Sequence, residues 1–188
     1  MINIEMNGVA MTLKSAPILF SPNSLDTGTA AMLSCVSFSP SDKVLDLGCG
    51  YGVVGIYAAL LIGEQHVTMA DIDETAVVVA RKNASLNGVP GIRLFLSDGF
   101  ENINDTSYTI ILSNPPYHAD FSIPKRFIEK GFNRLVIGGK MLIVTKRKEW
   151  YKNKLISIFG GVLIKEIDGY FVFIAEKRST SYPKKKSR

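Results

Sequence analysis

A glycine-rich run, Asp46-Leu47-Gly48-Cys49-Gly50-Tyr51-Gly52, has the composition of a ligand-binding turn. Glycines permit a tight turn and allow the backbone to approach a ligand closely. The spacing is Gly-x-Gly-x-Gly, whereas dinucleotide-binding turns use Gly-x-Gly-x-x-Gly and place a phosphate at the next helix. Asp46 would repel a pyrophosphate and attract an ammonium group. The run therefore predicts a site for a cationic ligand, formed by Asp46, Gly48, Cys49, Gly50 and Gly52; the alternative is a purely structural turn.

Polar residues also follow the next two predicted strands. Asp71 comes about 20 residues after the glycines, where a carboxylate can accept hydrogen bonds from ribose hydroxyls, with Ile72 beside it. Asp73 is predicted to cap the following helix. Ser97 and Asp98 end the third strand, and the Asp98 carboxylate either reaches an adenine amino group or only caps its own loop. With an ammonium site at the glycine turn, these positions indicate S-adenosylmethionine as the ligand.

The run Asn114-Pro115-Pro116-Tyr117 directly follows a further predicted strand. Two prolines fix φ and remove two backbone donors, so the turn is stiff and its carbonyl groups face outward. The Asn114 side-chain oxygen and the Pro115 carbonyl can accept both N–H groups of an aromatic amine and orient its weakly nucleophilic lone pair. Tyr117 can stack on the base, so methyl transfer would proceed by positioning, without a metal or covalent nucleophile. These four residues are predicted to be catalytic, and Asn114 is predicted to contact the cofactor as well; the alternative is an ordinary Pro-Pro turn with Tyr117 as a packing residue.

Charge is distributed unevenly along the chain. Residues 1–122 contain 5 Lys or Arg against 12 Asp or Glu, whereas residues 123–188 contain 17 against 5, and the whole chain carries +5. Such a basic segment indicates contact with a polyanion such as RNA, and a solvated basic face is the alternative. The residues expected to bind substrate are Lys125, Arg126, Lys146 and Arg147, with Lys130 and Lys148 beside them. The lysines at 184–186 would add non-specific phosphate contacts.

Strands alternate with helices along most of the chain, which predicts an α/β fold with a doubly wound, largely parallel sheet. Predicted strands cover residues 43–47, 66–70, 92–96, 108–112 and 141–145, and predicted helices cover 52–62, 74–86, 123–134 and 150–159. The third of these helices is expected to end near Gly138-Gly139. Segments 162–167 and 170–175 flank Asp168-Gly169 and predict an antiparallel hairpin at the sheet edge. Segments 2–6 and 9–13 flank Asn7-Gly8 and predict another hairpin, followed by a loop at 17–26 and a helix within 25–36.

The length of 188 residues predicts one domain: an N-terminal extension (1–38), a catalytic core (39–178) and a basic, disordered tail (179–188). No apolar run is long enough to span a membrane, and no secretory signal is visible. The two cysteines, Cys35 and Cys49, do not indicate a disulfide framework, and they lack the spacing of metal ligands. We therefore expect a cytoplasmic protein, either monomer or homodimer.

The glycine run, Asp71 and the Asn114-Pro115-Pro116-Tyr117 run resemble those of class I S-adenosylmethionine-dependent methyltransferases over nearly the whole chain. Phe20, Leu25-Asp26-Thr27-Gly28-Thr29 and Leu33 are similar to the segment before the cofactor strand in the "methyltransferase small" family. That family includes the ribosomal RNA guanine (2-amino) methyltransferases. The resemblance implies a Rossmann-like seven-stranded sheet of order 3-2-1-4-5-7-6. It also implies S-adenosylmethionine as cofactor and S-adenosylhomocysteine as product.

His118 helps to choose among the relatives that the resemblance covers. The guanine methyltransferases commonly have Asn-Pro-Pro-Phe-His at this place, whereas protein-glutamine and tRNA-adenine relatives more often have Asn-Pro-Pro-Tyr followed by an apolar or aromatic residue. The alternative for His118 is a histidine that stabilises its loop. His118 and the basic C-terminal third favour the guanine 2-amino group of ribosomal RNA, with Tyr117 and His118 in contact with it. A protein glutamine amide, an adenine 6-amino group and a small-molecule amine remain alternatives, as does a non-catalytic RNA-binding module.

Overall fold

In the part of the chain that the structure describes, seven strands share one sheet and two more form a separate hairpin. The computed structural model describes residues 1–14, 25–116 and 120–183, so the positions predicted at Tyr117, His118 and residues 184–188 lie outside the described part. The strands are β1 (Ile2–Met6), β2 (Val9–Leu13), β3 (Val44–Leu47), β4 (Val67–Asp71), β5 (Arg93–Leu96), β6 (Tyr108–Ser113), β7 (Leu135–Thr145), β8 (Leu163–Ile167) and β9 (Tyr170–Glu176). The helices are α1 (Thr27–Leu33), α2 (Val53–Ile62), α3 (Glu74–Leu86), α4 (Ser122–Arg134) and α5 (Glu149–Phe159), with a 3-10 turn at Glu64–His66.

The order of the large sheet is β5-β4-β3-β6-β7-β9-β8. β9 runs antiparallel to β7 and β8, and the other neighbouring pairs of this sheet are parallel. Counted from β3, this is the order 3-2-1-4-5-7-6 that the resemblance implies. The predicted fold class is confirmed, including the C-terminal hairpin at the sheet edge.

The central strands are apolar on both faces because helices cover both. Val44 and Leu112 contact a core shared with α1, α2, α3 and the β1–β2 hairpin. Their neighbours in the chain, Leu45 of β3 and Ile111 of β6, contact a second core shared with α4 and α5. Alternate residues of a strand point to opposite faces, so a near-continuous apolar strand is what a doubly covered sheet requires.

The N-terminal hairpin is joined to the same core as the sheet. Asn7 and Gly8 have φ of 50° and 78°, as a type I′ turn requires, so this predicted hairpin is confirmed. The fully buried Asn83 side chain of α3 accepts a hydrogen bond from Lys14 N (2.8 Å) and donates to the Lys14 carbonyl (2.8 Å). It also donates to the Tyr51 carbonyl (2.8 Å), which links the hairpin to the glycine-rich turn.

The helix predicted over 123–134 is confirmed by α4, but Gly138-Gly139 do not end it. The helix ends at Arg134, and both glycines lie inside β7, which begins six residues earlier than expected, at Leu135. Gly138 has φ of 82°, and the register of β7 on β6 shifts at this place. Its N–H donates to the Lys177 carbonyl (2.8 Å), so the backbone stays satisfied through the bulge. Glycines that commonly end helices therefore serve here as a strand bulge.

None of the described helices is long and apolar enough to cross a membrane.

Candidate active site

A cleft of about 380 Å³ opens where the carboxyl ends of β3, β4, β5 and β6 meet. Ligand sites of open α/β sheets lie at this edge, and the volume is in the range of small-molecule sites. Most predicted cofactor residues line the cleft: Asp46, Gly48, Cys49, Gly50, Asp71, Ile72, Ser97, Asp98 and Asn114. Residues from the start of α1 and from α4 complete the lining.

The glycine-rich turn is held open by its own backbone geometry. Gly50 has φ of 53°, and its N–H donates to Asp71 Oδ2 (2.8 Å), which joins the turn to the end of β4. Among the described residues, apart from its two chain neighbours, no atom would lie within 4 Å of a Cβ at Gly50. Gly52 has φ of 94°, and a Cβ there would lie 3.1 Å from Ile56 and 3.2 Å from Ala80, so this glycine allows α2 to pack against α3.

The two aspartates after β4 have different roles. Asp71 faces the cleft and accepts hydrogen bonds from the N–H groups of Gly50 and Asp73 through its two oxygens. A carboxylate has about four acceptor sites, so Asp71 keeps capacity for ribose hydroxyls. Asp73 Oδ1 accepts from Thr75 N (2.8 Å) as the N-cap of α3, which confirms the predicted cap.

Asp46 is almost completely buried beneath the glycine-rich turn. Its Oδ2 accepts a hydrogen bond from Gly55 N (2.9 Å) in the first turn of α2. Burial raises the pKa of Asp46 to about 7, with the negative charge of Asp71 acting in the same direction and the Gly55 hydrogen bond against it. Burial also raises the pKa of the Cys49 thiol, helped by the charges of Asp46 and Asp71, so this thiol stays protonated and is a poor nucleophile.

The chemistry of the cleft fits a cationic ligand with an adenosine group. Five carboxylates line it, from Asp26, Asp46, Asp71, Asp73 and Asp98. Such a lining disfavours a pyrophosphate and favours the ammonium and sulfonium groups of S-adenosylmethionine. Ile72 also lines the cleft with 67% of its surface exposed, which is unusual for isoleucine and suits a site that an aromatic base covers.

Two residues follow β5 directly: Ser97 shapes the loop, and Asp98 faces the cleft. The Ser97 hydroxyl donates to the Gly99 carbonyl (2.9 Å) and accepts from Asn102 N (3.0 Å), so it shapes the loop. The Asp98 carboxylate forms an ion pair with Arg126 of α4. This pairing brings together one residue predicted to bind adenine and one predicted to bind substrate. Arg126 therefore lies at the Asp98 side of the cleft.

The described part of the amine-binding run lies at the end of β6, beside the cleft. Asn114, Pro115 and Pro116 all line it. Asn114 Nδ2 donates to Asp26 Oδ2 (2.8 Å) and to Thr29 Oγ1 (3.0 Å). The side-chain oxygen of Asn114 therefore points away from these two residues. This is the acceptor that the amine-binding hypothesis needs.

Sequence reasoning did not assign a site role to Asp26 or Thr29. Both line the cleft, both are nearly buried, and both contact Asn114 from the start of α1. The signal was present, because buried Asp and Thr residues at a helix start are polar groups that need partners. Their partner is 85 or more positions away along the chain, so local spacing could not identify it.

The predicted basic residues lie at the same edge of the sheet as the cleft. Lys125 is exposed in the first turn of α4, which follows β6. Three successive exposed cations follow β7, and each lies over a different aromatic ring. Lys146 Nζ is 4.9 Å from the centre of the Tyr170 ring, Arg147 is 4.9 Å from that of Phe121, and Lys148 is 5.0 Å from that of Phe171. These contacts hold the charges in place at the edge.

Comparison with known families agrees with this geometry. The family model described as "Methyltransferase small domain" matches residues 10–174. The chain belongs to the methyltransferase small domain family. The expected resemblance is therefore confirmed, and the match begins within the β1–β2 hairpin.

Three similar proteins illustrate the family. "Uncharacterized protein YbxB" of Bacillus subtilis (strain 168) is 29% identical over 174 residues, covering 88% of this chain and 86% of that protein. "Ribosomal RNA small subunit methyltransferase C" of Haemophilus ducreyi is 35% identical over 158 residues, covering 80% of this chain and 47% of that protein. The solved T. thermophilus 16S rRNA N2 G1207 methyltransferase (RsmC), in complex with AdoMet and guanosine, has a TM-score of 0.84 at 25% identity, covering 94% of this chain and 50% of that one. The chain thus spans about half the length of the rRNA methyltransferase relatives it matches.

Proposed function

We propose that this protein transfers a methyl group from S-adenosylmethionine to the exocyclic 2-amino group of a guanine in ribosomal RNA. The observation that carries the proposal is the position of Asn114, at the rim of an acidic cleft, with its amide nitrogen tied to Asp26. The family and the relatives named as small-subunit rRNA methyltransferases support the choice of cofactor and substrate. Such a protein would act in the cytoplasm, where ribosomes are assembled.

The chain's own residues supply binding and orientation. When bound, S-adenosylmethionine would supply a methyl carbon: the amine nitrogen would form the new nitrogen–carbon bond as the carbon–sulfur bond breaks, S-adenosylhomocysteine would leave, and one amine proton would pass to solvent. The glycine-rich turn and Asp46 would hold its methionine part, Asp71 its ribose, and Ile72 and Asp98 its adenine. The Asn114 oxygen and the Pro115 carbonyl would accept the two N–H groups of guanine and align the nitrogen with the methyl carbon. Placement of this kind can supply most of the rate enhancement.

The direct test uses S-adenosylmethionine labelled in its methyl group. The protein is incubated with unmodified 16S ribosomal RNA, with assembled small subunits, and with ribosomal proteins alone. We expect label in the RNA, and nucleoside analysis should identify it as N2-methylguanosine. Label confined to protein, or N6-methyladenosine as the product, would contradict the proposal.

RNA affinity should fall steeply with salt. Each phosphate contact made by a lysine or arginine releases counterions, so six such contacts would weaken binding by roughly 10³-fold between 50 and 200 mM salt. Replacing Lys146 and Lys148 by Gln should reduce the slope of log K against log salt by about two. Lys165→Gln, at an exposed lysine of the edge strand β8, is the matched control. Fluorescence anisotropy with labelled RNA measures both slopes, and an affinity independent of salt would exclude an RNA substrate.

S-adenosylmethionine affinity should depend on pH through Asp46. Only the ionised carboxylate attracts the ligand's positive charge, and its pKa is about 7 in the free protein. The dissociation constant should therefore rise toward tenfold per pH unit below pH 7. Calorimetry between pH 5.5 and 7 should show this rise for the parent protein and a flat, weaker affinity for Asp46→Asn. Parallel pH profiles for the two proteins would contradict the role of Asp46.

Asp46→Asn, which should weaken cofactor binding, should stabilise the ligand-free protein at alkaline pH. Because folding raises the pKa of Asp46, its favourable contribution to stability is full below about pH 4 and is lost as the pH rises through 7. At pH 8 the parent buries a charge that Asp46→Asn lacks, whereas the Asn oxygen can still accept from Gly55 N. Thermal unfolding without ligand should therefore give a higher Tm for the variant at pH 8 and little difference at pH 4.

A further inference from the structure

The amide of Asn114 is held by two acceptors from a distant part of the chain. Its nitrogen carries two protons, and it donates to Asp26 Oδ2 (2.8 Å) and to Thr29 Oγ1 (3.0 Å). Asp26 and Thr29 are 9% and 8% exposed, so water competes little for these bonds. An ionised carboxylate only accepts hydrogen bonds. Turning the Asn114 amide over would place its oxygen 2.8 Å from Asp26 Oδ2 and lose that bond, whereas the Thr29 hydroxyl could donate to the turned amide. Asp26, not Thr29, therefore selects the orientation.

We propose that Asp26 is a positioning residue that selects the orientation of the Asn114 amide and thereby decides which atom meets the substrate. This inference rests on the proposed function. An amine substrate presents N–H donors and needs the Asn114 oxygen. A turned amide would present its own N–H groups to the substrate amine, so donor would face donor. Asp26 therefore controls catalysis without touching the reacting atoms.

Asp26 is itself fixed in position. The same oxygen, Oδ2, accepts from Thr29 N (2.8 Å), so Asp26 is the N-cap of α1 as well as the partner of Asn114. The first turn of α1 lies flat against Tyr170 of β9. A Cβ at Gly28 would come within 2.8 Å of the Tyr170 ring and 3.1 Å of Asp26 Oδ2, so only glycine allows this approach. The helix start therefore cannot shift without moving the carboxylate.

The use of one oxygen for both bonds provides a matched pair of variants. Asp26→Ser keeps an N-cap acceptor for Thr29 N, but its shorter side chain ends too far from Asn114, and its hydroxyl imposes no orientation. Asp26→Asn can keep a carbonyl oxygen at the place of Oδ2, so both bonds survive. The two variants separate capping of α1 from orientation of Asn114.

The test compares the parent protein, Asp26→Ser and Asp26→Asn on transcribed 16S ribosomal RNA with saturating S-adenosylmethionine. For Asp26→Ser we expect kcat to fall at least about 30-fold with KM for RNA unchanged, because only alignment in the transition state is lost. Its Tm should stay close to the parent value, since Ser is as good an N-cap as Asp, and the saturating S-adenosylmethionine offsets the charge removed from the cleft. Asp26→Asn should restore kcat to within about threefold of the parent.

Amide NMR gives a readout that needs no substrate. The side-chain 15N–1H pair of Asn114, assigned by its absence in Asn114→Ala, should be shifted from the free-amide position in the parent and Asp26→Asn and should move toward it in Asp26→Ser. An unchanged Asn114 signal in Asp26→Ser, or a kcat equal to the parent's, would overturn the proposal. Equal losses of Tm and activity in both variants would also overturn it, since they indicate a purely structural role. A parent protein that methylates no guanine defeats the proposed function instead, and the NMR comparison still decides the role of Asp26.

Discussion

Asn114→Ala should lower kcat for methyl transfer by about 10²–10³-fold, the usual cost of removing one preorganised hydrogen-bonding group from a catalytic site. The guanine amine would lose the acceptor that orients its lone pair, while the Pro115 carbonyl remains. The glycine-rich turn follows β3 and Asp71 ends β4, so both are separate from Asn114. S-adenosylmethionine affinity should therefore change by no more than about fivefold. Single-turnover kinetics with 16S ribosomal RNA and calorimetry with the cofactor measure the two effects separately.

The matched control for this prediction is Asn133→Ala. Asn133 is an exposed asparagine of α4 whose side chain donates a long bond to the Glu129 carbonyl (3.3 Å), and it does not line the cleft. It should retain parent activity. A fully active Asn114→Ala protein would show that the proline-rich turn is structural, which is the alternative left open by the sequence.

The fold was predictable because its elements depend on local patterns. Apolar strands alternating with helices require a parallel sheet covered on both faces, and the Asn7-Gly8 and Asp168-Gly169 turns identify the two hairpins. Both residues with positive φ that are not glycine, Asn7 and Asp168, lie in these turns among the described residues. Gly138-Gly139 were misjudged by the same reasoning, since the two glycines form a bulge whose backbone partner, Lys177, directly follows β9.

The residues that line the cleft were predictable only where each lies at the carboxyl end of its own strand. Asp46 lies near the end of β3, Asp71 ends β4 and Asn114 follows β6, and parallel strands bring their carboxyl ends to one edge. The roles that depend on a second residue were not visible in the sequence. Asp26 meets Asn114 across 88 positions, and Asp98 meets Arg126 across 28, so each pair exists only after the sheet has formed.

Asp71→Ala should raise the dissociation constant of S-adenosylmethionine by roughly 100-fold, which corresponds to about 3 kcal/mol. Two hydrogen bonds from ribose hydroxyls to a carboxylate, at about 1.5 kcal/mol each, account for this loss. The Gly50 N–H would also lose its partner, so the glycine-rich turn would be less well held at the cofactor.

Asp73→Ala is the matched control, because Asp73 is two residues away, carries the same charge and also lines the cleft. Its carboxylate is committed to the N-cap of α3 through Thr75 N (2.8 Å). Asp73→Ala should lose about 1 kcal/mol of stability in denaturant unfolding and bind the cofactor within about threefold of the parent affinity. Equal weakening of binding by both variants would mean that the cleft attracts its ligand through summed negative charge. The difference between them therefore measures how much of the affinity comes from directed hydrogen bonds at the end of β4.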